Sequence, residues 1–313
     1  MNVLHCTAAA CMAAMDEASV VSALALLYGA GTDAATRRES DASLTAFQRS
    51  NDGSCLPRCC SLLRGHATVN AVNLHCVALF AAQTVYQRLL ASCGRVPLEI
   101  MHGLQPEVYQ LLAIHSASPP VVSFLSLALV ASEVQLRNRV DAGPPGGPGS
   151  SDFVPAVLRQ FAYTAVGGTA ALNPAVALKC LCAVPDVLDN IRLSANPKKK
   201  LLFAAEMRAS WPAVHAFLAH LLTHCAGGRD ESQQLLPSVF VCAAQWLKFL
   251  SEDNAGWSAP AAAAAADSPV PLFSASSYVG ASDPVVSTAL DALLSRDSAT
   301  TAGASEVLLA CLT

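Results

Sequence analysis

Apolar positions recur at helical spacing along most of the chain. In Asp16–Gly29, Val20, Val21, Leu24, Leu27 and Tyr28 fit a 3.6-residue repeat. Acidic residues open this segment and Gly29–Gly31 closes it, which are helix start and stop signals. Asp33 is placed to cap a second helix that runs to about Ser50 and buries Leu44 and Phe47. A second pair follows, near Leu56–Leu63 and over Val69–Ser92. In its second member Val77, Phe80, Ala81, Thr84, Val85, Arg88 and Leu89 form one stripe, with Phe80 and Ala81 in the core. Pro97–Leu104 reads as irregular, and Pro106–Ser116 with Val121–Val140 makes a third pair. Asp152–Ala165 with Pro174–Val184, Pro197–Ala226 with Gln233–Leu250, and Pro284–Ser295 with Ala302–Leu312 make three more.

Over the first five pairs, second helices begin about 36 to 60 residues apart, a loose version of the roughly 40-to-47-residue HEAT and armadillo period. The pattern predicts an all-α fold, a HEAT/armadillo-like α-solenoid of about six helix hairpins. An ordinary helical bundle satisfies the same periodicities. Asp141–Ser151, rich in Gly and Pro, and Asn254–Pro271, rich in Ala and Pro, interrupt the pattern. The expected organisation is a leader at 1–15, repeats at 16–140, a loop at 141–151, repeats at 152–253, a linker at 254–271 and a partial repeat at 272–313. The last segment runs to the apolar VLLACLT with no capping signal. Solenoids need polar caps, so a longer parent protein is expected.

Composition sharpens this picture. Of 313 residues 53% are hydrophobic but only 6% aromatic, so Ala, Leu and Val must build the core. Ala and Leu are the strongest helix formers. The net charge of -4 implies no basic nucleic-acid footprint. Mean hydropathy is +0.41, yet the longest apolar candidate, Pro119–Ser132, falls short of the roughly 20 residues of a membrane span. It reads as a buried helix, and no membrane insertion is expected. The apolar run Ala8–Met15 lacks a preceding Lys or Arg and makes a poor signal peptide. The 12 cysteines are scattered through apolar helical runs, which suits small buried hydrophobes in a reducing compartment.

The polar motifs carry little chemistry. Cys55, Cys59, Cys60, His66, His75 and Cys76 fit no standard zinc spacing, so buried thiols with surface histidines are expected, and no cofactor. His220 and His224 stand one turn apart but lack the glutamate base of a metallohydrolase helix. Lys198, Lys199 and Lys200 form too short a basic run to specify a partner. Gly146-Gly147, Gly167-Gly168 and Gly227-Gly228 lack phosphate-loop spacing, and no catalytic set stands out.

Several segments, in order, resemble the importin-β family of nuclear transport receptors, in its transportin-3 and importin-13 branch. Ala25-Leu26-Leu27-Tyr28 followed by SLTAFQRS (Ser43–Ser50) resembles the first repeat of that branch, and FAAQT (Phe80–Thr84) resembles the second helix of its second repeat. Leu178–Lys200, Val239–Leu250 and Ala304–Leu312 are similar to later family segments. Asn51–Cys60, Arg95–Leu104, Asp141–Ser151 and Ala261–Ala266 depart from the family pattern. The resemblance implies the N-terminal third of a receptor that shuttles between nucleus and cytoplasm. Its partners would be the GTPase Ran, protein cargo and nuclear pore proteins, and it would carry out no catalysis. Second helices of the N-terminal repeats would meet Ran-GTP, with Gln48, Arg49, Gln83 and Gln87 as contact candidates; solvent exposure or hydrogen bonding between repeats is the simpler role for each. Other classes remain open at this level: a helical-repeat scaffold unrelated to Ran, a metal enzyme, or a partial gene product.

Overall fold

The computed structural model describes residues 15–50, 54–65, 74–91, 96–139, 152–162, 173–189, 197–226, 234–251, 283, 285–289 and 298–312. Among these residues the regular structure is helical, without strands. The chain divides into two compact units, Met1–Leu136 and Arg137–Thr313. The expected leader up to residue 14, the loop at 141–151 and the linker at 254–271 lie outside the described residues.

In the first unit, α1 (Glu17–Tyr28) and α2 (Ala34–Arg49) form a hairpin. Asp16 caps α1 by accepting from the Ser19 amide at 2.8 Å. Asp33 caps α2 by accepting from Ala35 and Thr36 amides at 2.9 and 3.0 Å. Between them Gly31 has φ 141°, a conformation that favours glycine. The second hairpin is α3 (Cys55–Arg64) with α4 (Leu74–Ala91), and α5 (Leu98–Ile114) and α6 (Pro119–Arg139) follow. First helices pack on first helices in chain order, α1 on α3 and α3 on α5; α2 packs on α4. The rings of Tyr86 and Phe124, 6.4 Å apart, join α4 to α6.

The second unit repeats the scheme. α7 (Phe153–Phe161) pairs with α8 (Pro174–Asp189), and α10 (Trp211–Ala226) with α11 (Leu236–Ser251). α7 meets α10, and α8 meets α11. α9 (Pro197–Ala209) is an additional helix that touches α8 and α10. A short helical stretch, 285–289, precedes α12 (Ser298–Leu312), and α12 lies tightly on α11. A Cβ at Gly303 would come 3.0 Å from the Phe240 Cβ, so glycine permits that approach.

Four expected boundaries change. Pro97–Leu104 is not irregular: α5 begins at Leu98 and passes through Pro106. Proline removes the donor that would serve the carbonyl four residues back. Here Pro106 and His102 both lie on the exposed side of α5, so water can serve that carbonyl. The helix expected to stop at Val184 continues through Pro185 to Asp189. Pro185 is buried, so the carbonyl of Leu181 needs a protein donor. The Trp246 indole N–H supplies it at 3.0 Å. Third, Pro197–Ala226 is two helices, broken at Ser210 two residues before Pro212. Fourth, the helical span Pro119–Arg137 is long and apolar enough to cross a membrane, contrary to the shorter estimate. However, 67% of its apolar window is buried inside the protein, which is the signature of a core helix.

One device recurs at the helix ends. The last carbonyls of a helix have no internal donor. Arg88 of α4 donates to the Gln48 carbonyl ending α2 at 3.5 Å. His115 Nε2, just past α5, reaches the Leu63 carbonyl ending α3 at 2.8 Å. Gln135 of α6, buried, donates to the Leu89 carbonyl ending α4. Arg208 of α9 donates to the Phe249 carbonyl ending α11, with its Nε at 3.4 Å, and lies 4.8 Å over the Phe249 ring. In these four cases a polar side chain of one helix or its end serves the end of another helix.

Candidate functional site

Two of the segments that resemble the family, FQRS and FAAQT, meet in the first unit. FQRS ends α2 and FAAQT lies in the middle of α4. The Gln48 side-chain amide donates to the Thr84 hydroxyl at 3.1 Å, and Thr84 donates in turn to the Phe80 carbonyl at 2.7 Å. The rings of Phe47 and Phe80 stack with centroids 6.3 Å apart. Phe47 is buried, but Phe80 is only half-buried, so it is not the core residue the apolar stripe suggests. It seals the seam between the two helices instead. Helical spacing cannot distinguish a residue buried by its own hairpin from one that covers the joint to the next.

The four contact candidates separate by environment. Gln48 is half-buried and held by Thr84, so its amide is committed between hairpins. Arg49, the next residue, is exposed. It borders an open depression of about 530 Å³ along α2, lined also by Asp41, Ala42, Thr45, Ala46 and Ser50. On α4, Gln83 is half-buried and Gln87 exposed, one turn apart on the side away from Ala78, Ala81, Ala82 and Val85. Thr84 and Arg88, which join Gln48 to α4, belong to the hydrophobic stripe by spacing. That position hid their polar role.

The cysteines of α3 are packing groups. Cys55, Cys59 and Cys60 are 2%, 0% and 1% exposed. A hydrogen bond with Cys55, then burial, pushes the Cys59 thiol well up; burial and then Glu107 push Cys60 up. Such thiols are poor nucleophiles, because reactivity belongs to the thiolate. Cys76 is half-buried and His75 exposed, and His66 lies outside the described residues. Among the described residues no group of three His, Cys, Asp or Glu side chains is arranged to hold a metal ion. His220 is exposed; the side chains of His224 and of Lys198, Lys199 and Lys200 lie outside the described residues, as do the three Gly-Gly pairs.

The sequence matches no protein-family model, and no curated protein significantly.

Proposed function

We propose that this chain is an α-solenoid scaffold of the importin-β type, which takes Ran-GTP on the second helices of its N-terminal hairpins and carries protein cargo. What supports the solenoid is the serial packing of first helices on first helices and second on second, in chain order within each unit. What supports the receptor reading is one contact above all. The FQRS and FAAQT segments, each of which resembles the family by itself, are joined through Gln48 and Thr84. The residue after Gln48, Arg49, and the residue before Arg88, Gln87, then offer charged and amide groups to a partner. Neighbouring hairpins joined by a few polar links can shift in curvature, and a partner that favours one curvature biases the other partner's binding.

The test is binding of the whole chain to Ran loaded with GTP or with GDP. The expected result is retention of the GTP form, weakened roughly tenfold by Gln83→Ala with Gln87→Ala, as for interface contacts worth about 1–2 kcal/mol. Equal retention of both nucleotide forms by a chain whose circular dichroism is helical refutes the Ran reading. Binding of other proteins would then favour a scaffold of another complex.

A further inference from the structure

We infer that Ser118, in the turn between α5 and α6, is a phosphorylation site for a proline-directed kinase, and that its phosphate ties the start of α6 to the start of α4. The chain holds two Ser-Pro dipeptides, Ser118-Pro119 and Ser268-Pro269, and the first lies among the described residues. A kinase takes its target as extended backbone, and a following proline pushes a residue towards that region. Ala117, Pro119 and Pro120 are exposed and Ser118 is half-buried, so the dipeptide faces outward at a helix boundary. A serine in this place ordinarily caps its helix by accepting from the second or third amide of the first turn. Pro120 removes the second of these donors. The Ser118 hydroxyl lies 3.4 Å from Nδ1 of His75, an exposed residue in the first turn of α4. That contact is long for a hydroxyl, so it holds the oxygen loosely and leaves it open to reaction.

The phosphoryl donor is magnesium-bound ATP. The serine oxygen bonds to the γ-phosphorus as the bond from that phosphorus to the β,γ-bridging oxygen breaks. ADP leaves, and the hydroxyl proton passes to the carboxylate base of the kinase. The product carries a charge of about -1.5 to -2 near pH 7. Its outer oxygens extend past the serine oxygen and bring an acceptor within the roughly 2.7–2.9 Å of a charge-assisted bond to a His75 ring N–H. The phosphate also stands at the amino end of the 21-residue α6, where the helix dipole favours negative charge. It adds a polar tie to the Tyr86–Phe124 contact between the same two helices. The site stands whether or not the chain binds Ran.

The experiment incubates the full chain with a mitogen-activated protein kinase and magnesium-ATP, then maps phosphate by peptide mass spectrometry with fragmentation. Phosphate on Ser118 is expected. Thermal unfolding is then followed by circular dichroism in the Ser268→Ala chain, where Ser118 has the remaining Ser-Pro dipeptide. Phosphorylation should raise the midpoint by about 2–4 °C, and by less than about 1 °C when His75→Ala is added. Phosphate on Ser268 alone, or on neither serine, overturns the proposal. So does a phosphorylated Ser118 that leaves the midpoint unchanged, lowers it, or raises it equally with and without His75. The phosphate map and the midpoint of the unaltered chain decide the matter even if a variant fails to fold.

Discussion

Trp246→Phe tests how α8 survives an internal proline. Trp246 is fully buried, stacks on Trp211 at 6.3 Å, meets Phe249 edge-on at 5.9 Å, and donates to Leu181. Phenylalanine keeps the apolar character but removes the donor. Leaving the buried Leu181 carbonyl without a partner costs about 1–3 kcal/mol. The smaller ring adds a packing loss of roughly 1–2 kcal/mol, so about 2–5 kcal/mol is expected in all. The decisive comparison uses Pro185→Ala as the background. Alanine restores the backbone N–H that Leu181 would receive in an uninterrupted helix. The hydrogen-bond share of the loss then disappears while the packing share remains. Urea unfolding followed by far-ultraviolet circular dichroism, across the four members of this cycle, should show a coupling of about 1–3 kcal/mol. An equal Trp246→Phe cost in both backgrounds, within about 0.5 kcal/mol, would refute the role given to the indole.

Three further outcomes follow from the packing. Gln135→Met keeps the length of a side chain that is 1% exposed but leaves the Leu89 carbonyl unserved, so urea titration should show a loss of about 1–3 kcal/mol. Gly303→Val places a Cβ at 3.0 Å from Phe240 with two methyls beyond it; calorimetry should show destabilisation of about 1–3 kcal/mol, and a variant as stable as the parent would contradict the close α11–α12 approach. The Thr36 hydroxyl, then the Thr36 and Ala35 amides, hold the Asp33 carboxyl below its ordinary 3.8. A lowered folded value means that the cap stabilises above 3.8 and is lost as pH falls through the lower folded value. Asp33→Asn retains the cap, so its stability should fall less steeply than the parent's on acidification from 3.8 down through the lower folded value, measured by circular dichroism.

The candidate surface was only partly legible. FQRS and FAAQT were visible as separate segments, and Gln83 and Gln87 fell off the apolar stripe by counting alone. Nothing in the spacing distinguished Gln48, tied to Thr84, from Arg49, which stands free of the seam and faces outward. A glutamine at a helix end looks the same in sequence whether it meets water or the next hairpin. Thr84 was misleading for the opposite reason, because its hydroxyl sits on an otherwise apolar stripe.

Local chemistry determined most of the helices: capping by Asp16 and Asp33, the turn at Gly31, and the apolar repeats of α2, α4 and α11 all act within a few residues. The proline-bearing helices were decided elsewhere. Pro106 and Pro185 each read locally as a helix boundary, yet both helices run through them, one with its orphan carbonyl on the exposed side and the other with a tryptophan 65 residues away to serve it. The same holds for the carbonyls of Gln48, Leu63, Leu89 and Phe249, each met by a side chain from outside its own hairpin. A helix end needs a donor, but only the folded chain determines which residue brings one, because that donor is distant in sequence and adjacent only in space.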